Sequence, residues 1–117
     1  MGTNNRAVGS KGEEIATRFL IEKGYRILDR NYRCRFGEID IIGRDKNYLV
    51  FVEVKYRRNT EKGYPIEAVG YHKQKRIIKT AMYYTKIKHM YNFDIRFDVV
   101  EIINDKIRVV KDAFNCN

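Results

Sequence analysis

The chain has 117 residues, 44% of them hydrophobic and 13% aromatic, which suffices for one domain with a single core, is too short for two, and excludes a disordered chain. Its 24 Lys and Arg outnumber 15 Asp and Glu, for a formal charge of +9. That excess favours a polyanionic partner, nucleic acid first, although a ribosome-bound or membrane-surface protein would carry the same sign.

Cys34 and Cys116 stand far apart and in no C-x-x-C spacing, which argues against a zinc knuckle and against a disulfide framework. No apolar run is long enough to span a bilayer, and Met1–Ser10 is polar without a secretory core. A cytoplasmic protein that does not engage membranes is expected. Residues 1–9 read as a flexible N-terminus and residues 10–117 as a single domain.

Ser10 followed by Glu13 has the spacing of a capping box, so a first helix is predicted from Ser10 to about Lys23. Ile15, Ala16, Phe19 and Leu20 form its apolar face, and Gly24 suits a left-handed C-terminal cap. Tyr25–Arg33 reads as a strand in which Arg30 and Arg33 alternate with apolar residues, with Arg35 just beyond. This flank is either a phosphate clamp or an edge strand whose charges deter aggregation.

Residues 37–42 and 49–55 are rich in β-branched and aromatic side chains and flank a turn-like Gly43–Asn47, which predicts an antiparallel hairpin. A loop of Asp45 to Tyr48 makes opposed residue numbers sum to 93 and sets Asp40 across from Glu53. A slip of one residue would send the two acids to opposite faces. Glu53 and Lys55 project from one face of their strand, roughly 6–7 Å apart. Two facing carboxylates on a buried hairpin repel and lose hydration, and a hard divalent cation, Mg²⁺ or Mn²⁺, would compensate them. The competing explanation is an acid–lysine cluster that neutralises itself.

Tyr56 to Pro65 reads as a loop, basic at Arg57 and Arg58, where it leaves the hairpin. A longer second helix is predicted over about Ile66–Lys88, interrupted near Gly70. Val69, Ile77, Ile78, Ala81, Met82 and Tyr84 supply its apolar positions. Lys73, Arg76 and their neighbours make a one-signed surface with no acid between Ala68 and Asn92, a pattern that suits phosphate contact. Tyr71, Tyr83, Tyr84 and Tyr91 could stack on bases, although helical aromatics more often belong to the core. Two strands close the chain, Ile95 to Glu101 or Ile103 and Lys106–Val110, around a turn at Asn104–Asp105. The element order predicts an α/β domain with a mixed sheet of about five strands flanked by helices.

Asp40 followed by Glu53-Val54-Lys55 resembles the D…(D/E)-x-K signature of the restriction-endonuclease-like nucleases, which include the archaeal Holliday-junction resolvases. Gly9-x-x-Gly12-Glu13, Gly24-Tyr25, Arg30-Asn31-Tyr32-Arg33, Gly37–Ile42, Val52–Arg57 and Arg96–Val100 are together similar to the YraN-like family of small predicted nucleases. This resemblance spans nearly the whole chain. It departs from the superfamily pattern at Ile39, where Pro is frequent.

The resemblance implies a restriction-endonuclease-like core and a metal-dependent endonuclease acting on DNA rather than RNA, branched or single-stranded DNA in repair or recombination being the first candidates. Asp40, Glu53 and Lys55 would be catalytic. Asp40 and Glu53 would hold the metal with the Val54 carbonyl, and Glu13 would be a further ligand in competition with its capping role. Arg33, Arg35, Arg57, Arg58, Lys73, Gln74 and Arg76 would contact nucleic acid, with Lys73 and Gln74 near the active site. A homodimer would match the paired cuts of junction resolvases, although no helix announces a symmetric interface. The alternative is a non-catalytic nucleic-acid-binding module of a repair or translation complex.

Overall fold

The structure, a computed structural model, describes residues 2–57 and 69–115. Helix α1 (Gly2–Glu22) leads into strands β1 (Arg26–Cys34), β2 (Gly37–Asp45) and β3 (Tyr48–Arg57). Helix α2 (Tyr71–Ile87) is followed by β4 (Asp94–Ile103) and β5 (Lys106–Phe114). The five strands form one sheet in the order β1-β2-β3-β4-β5, antiparallel except for the parallel β3–β4 pair that α2 connects. The expected mixed five-stranded α/β domain is the one observed.

The strands of the central pair alternate between two apolar layers, as strands buried on both faces must. Leu49, Phe51, Phe97 and Val99 pack against Ile77, Ala81 and Tyr84 of α2. Val50, Val52, Val100 and Ile102 pack against Ala16 and Leu20 of α1. The helices therefore cover opposite faces of the sheet. Arginine-bearing β1 is an edge strand, one of the two readings its sequence left open.

Helix α1 begins at Gly2 rather than at Ser10, so Ser10 and Glu13 both lie inside it and the expected capping box does not form. A cap signal is local, and Ser or Gly within a helix costs at most about 1 kcal/mol, which a continuing helix can absorb. Its C-terminus matches the expectation. Gly24 has φ +95°, its N–H donates to Ile21 O at 3.0 Å and the Tyr25 N–H donates to Leu20 O at 2.9 Å, the paired bonds of a Schellman cap.

Helix α2 starts at Tyr71 after the extended Gly70, later than Ile66. The expected residues 66–68 and the loop from Arg58 to Pro65 lie outside the described residues. Met82, assigned to the apolar face, is 41% exposed instead. Thr80 and Thr85 take buried positions beside Ala81 and Tyr84, because their hydroxyls donate back to Arg76 O and Ala81 O within the helix. Strand β4 starts one residue before the expected Ile95, β5 continues past the expected Val110 to Phe114, and Asn104 turns between them with φ +56°.

A buried polar cluster ties β4 to both flanking hairpins. The Asp98 side chain, 0% exposed, accepts from Tyr25 Oη at 2.7 Å, from Arg96 Nε at 2.9 Å and from the Asp112 N–H at 3.0 Å. Arg96 also donates to Asp45 at 2.8 Å. Buried charges of this kind persist only when their hydrogen bonds are filled, as they are here.

Candidate active site

The β2–β3 register has the expected sum: Ile41 lies opposite Val52, Ile42 opposite Phe51, and Asp45 opposite Tyr48. The paired stretch of the ladder ends at Ile41–Val52, with Asp40 and Glu53 the next residues on each strand. At Asp40 the alternation of β2 breaks. Ile39 packs in the α2-side layer and Ile41 in the α1-side layer, although residues two apart on a regular strand share a face. The residue facing this break across β1–β2 is Asn31, which has φ +53°. The distortion turns the Asp40 carboxylate toward β3, where its Oδ2 accepts the Val54 backbone N–H at 2.8 Å.

Glu53 lies beside it and is 8% exposed. Burial, then the Asp40 charge and a hydrogen bond shared with Asp40, push its pKa up from 4.5 to about 7. The two carboxylates are thus on one side of the sheet and close enough to share a proton. Lys73, in the first turn of α2, donates to Glu53 Oε1 at 3.2 Å. Burial lowers the Lys55 pKa and the neighbouring Lys73 charge lowers it further. For Lys73 burial acts in the same downward sense, but the attraction of Glu53 outweighs it and the net shift is upward. One buried acid therefore sits against two half-buried ammonium groups that disfavour each other.

Glu13 approaches from α1 and is also buried. One residue before it, a Cβ on Gly12 would lie 3.0 Å from the Tyr56 ring, so a side chain there would require the half-exposed ring to give way. Burial and the Asp40 charge raise the Glu13 pKa, while Arg30, donating to Glu13 Oε1 at 3.3 Å, opposes them. Arg30 also donates to Glu14 at 2.9 Å, which occupies the guanidinium that the sequence offered as a phosphate clamp.

Among the described residues no three His, Cys, Asp or Glu side chains are grouped as a ready metal centre. The donors that do meet fit a hard cation. They are oxygen ligands, and the raised Glu53 pKa marks a spot where positive charge would be welcome. Mg²⁺ commonly needs only one or two carboxylates, completing its shell with water and substrate phosphate.

The remaining expected contact residues are scattered around this centre. Arg33 is exposed and pairs with the exposed Glu38 at 3.0 Å. Arg35 is exposed over the Phe36 ring, with 4.8 Å from guanidinium to centroid. Arg76 is exposed on α2, and Gln74 is drawn inward, donating to Val69 O at 2.7 Å. Arg58 lies outside the described residues, as does the side chain of Arg57. The expected base-stacking tyrosines separate: Tyr84 is core, Tyr83 is half-buried, and Tyr71 and Tyr91 are each 64% exposed.

Lys73, which the resemblance put near the site, reaches Glu53 from α2. One feature escaped the sequence reading. Glu101, 1% exposed on β4, is the register partner of Lys55; one of its oxygens accepts from Arg108 and the other, Oε2, has no partner among the described residues. An acid inside the apolar run Val99–Ile103 was its available signal.

The family model described as "Uncharacterised protein family UPF0102" matches residues 12–102, a span that contains every one of these acids and lysines. The chain is 50% identical over 113 residues to a UPF0102 protein of Lachnoclostridium phytofermentans, covering 96% of each chain. It is 49% identical over 116 residues to one of Syntrophus aciditrophicus, covering 96% of this chain and 91% of that one. A third, from Caldanaerobacter subterraneus subsp. tengcongensis, is 46% identical over 112 residues, covering 96% of this chain and 92% of the relative. With a match of that extent, this chain belongs to the UPF0102 family, the YraN-like family that its motifs resembled.

Proposed function

We propose that this protein is a metal-dependent phosphodiesterase of the restriction-endonuclease-like superfamily that cuts DNA, with branched or single-stranded DNA in repair or recombination as the substrate class. The observation that carries the reading is the Asp40–Glu53 pair, two carboxylates brought together at the open end of a hairpin with Glu53 raised to about 7 and Lys55 on the same face. A protein that needed this pair only for stability would gain by replacing it with apolar residues.

Asp40 and Glu53 would hold Mg²⁺ or Mn²⁺, with the Val54 carbonyl as a further ligand and Glu13 as the next acid toward α1. Such an ion supplies charge neutralisation at the phosphate and a water of lowered pKa. Lys55, half-buried and with its pKa lowered, is suited to orient the attacking water or to stabilise charge developing on the phosphate. Lys73 holds Glu53 in its rotamer through the 3.2 Å contact and brings a second positive charge to the phosphate side. The +9 charge favours arrival of a polyanion.

The test is a cleavage screen with Mg²⁺ and with Mn²⁺ over duplex, single-stranded, flap and four-way-junction DNA, with structured RNA as the outgroup. Asp40→Ala and Glu53→Ala are expected to abolish cutting and leave binding intact. Cutting that survives both substitutions refutes the mechanism. Absence of any cutting, together with salt-sensitive binding, favours the non-catalytic binding module.

A further inference from the structure

Away from the carboxylates, the exposed side of α2 and the β1–β2 turn enclose an open groove of about 540 Å³. Its floor is apolar: Phe36 from the turn, and Met82 and Tyr83 from the helix. Phe36 and Tyr83 meet edge to face with centroids 5.8 Å apart. Its rim is cationic: Arg35, Lys79 and Lys86 are all exposed, and no acid among the described residues lines it.

This combination needs an explanation. Lys79, Met82, Tyr83 and Lys86 follow the i, i+3, i+4, i+7 spacing of one helix stripe, so apolar and cationic groups alternate along a single solvent-facing strip. Leaving Met82 41% exposed and the adjoining Ile87 52% exposed has no structural purpose, since α2 already fills its core with Ile77, Ala81 and Tyr84. An acidic ligand with flat apolar parts matches both halves. The anions meet the rim and the flat faces meet the aromatic floor.

We infer that this groove receives unpaired nucleobases of a single strand, with the strand's phosphates on Arg35, Lys79 and Lys86. Every base has a face that stacks on an aromatic ring regardless of sequence, and cations interleaved with aromatics are the arrangement that binds single strands. A duplex, whose bases are stacked on one another, can reach the rim but not the floor. The groove shares α2 with the carboxylate site. Lys73 touches Glu53, Arg76 follows it by one turn, and Lys79 to Lys86 lie about 9–20 Å further along the helix at 1.5 Å per residue. A strand that wraps around α2 from its first turn to this stripe would have its phosphates near Glu53 and its bases in the groove a few nucleotides away. The inference rests on the nuclease reading for taking nucleic acid as the ligand, and it narrows the substrate to one with an unpaired segment.

Binding of a fluorescein-labelled oligothymidine, and of a duplex of equal length, is measured by anisotropy in EDTA, where nothing is cut. The protein is expected to prefer the single strand. Phe36→Ala is expected to weaken single-strand binding at least ten-fold with little change for duplex. Met82→Glu, at an exposed position that leaves the fold alone, is expected to act in the same direction. Lys79→Glu with Lys86→Glu is expected to weaken both and to flatten the salt dependence. Equal affinity for single strand and duplex in the unaltered protein overturns the inference, as does equal weakening of both by Phe36→Ala and Met82→Glu. An acidic polypeptide that displaces the oligonucleotide at equal concentration overturns it too, pointing to a protein partner. Because no turnover is involved, failure here leaves the cleavage result untouched, and failure to cut leaves this result standing.

Discussion

Replacing Glu53 by Gln should remove a measurable part of the pH dependence of stability. In the folded protein burial and Asp40 raise the Glu53 pKa from 4.5 to about 7, so between those values the folded state holds a proton that the unfolded chain has released. Stability therefore falls as pH rises through this window, the reverse of the usual salt-bridged carboxylate. A span from 4.5 to about 7, at about 1.4 kcal/mol per unit, amounts to roughly 3 kcal/mol. The substituted amide keeps an N–H that can donate to Asp40, as protonated Glu53 does, but it cannot ionise. Urea unfolding from about pH 5 to about pH 8 should show the wild type losing roughly 3 kcal/mol more than the variant across this interval. Lys73→Met should move the wild-type midpoint further up, because the Lys73 charge favours ionised Glu53. Mn²⁺ should move it down in the wild type and leave Glu53→Gln unaffected. Parallel pH profiles for wild type and Glu53→Gln would refute the close approach of buried Glu53 to Asp40 on which the site is built.

Asp98→Ala should cost about 3–5 kcal/mol in urea unfolding, since it strips the buried Arg96 guanidinium of one of its two carboxylates and leaves Tyr25 Oη without its acceptor. A loss under about 1 kcal/mol would show that water replaces the carboxylate. Gly24→Ala should cost about 1 kcal/mol or more from the φ of +95°, with no steric contribution because nothing lies within 4 Å of the added Cβ. Gly24→Asn, which tolerates the left-handed region better, should recover part of that loss in the same thermal melt.

The hairpin shows why some of the site was legible beforehand. Its register follows from turn length and from which residues are apolar, both local properties, so the meeting of Asp40 with Glu53 could be expected from spacing. The helix stop at Gly24 was legible for the same reason. Ser10 illustrates the limit: a cap signal competes with continuation of the helix, and the outcome depends on what lies upstream. Met82 fits an apolar stripe by spacing, yet the sheet beneath α2 accommodates only one side of that stripe and leaves Met82 outside. The distortion at Asp40 gives no sign in composition, because it is shared with Asn31 on another strand.

By itself the sequence determined the strands, the two helices, the register of the acidic hairpin and the excess of positive charge, all of which arise from neighbours in the chain. The tertiary structure decided that α1 and α2 cover opposite faces, that Lys73 reaches Glu53, that Glu13 is divided between Asp40 and Arg30, and that α2 forms a groove with the β1–β2 turn. Those contacts join residues far apart in the chain, and their energies depend on burial and on charges that become neighbours only once the sheet has assembled.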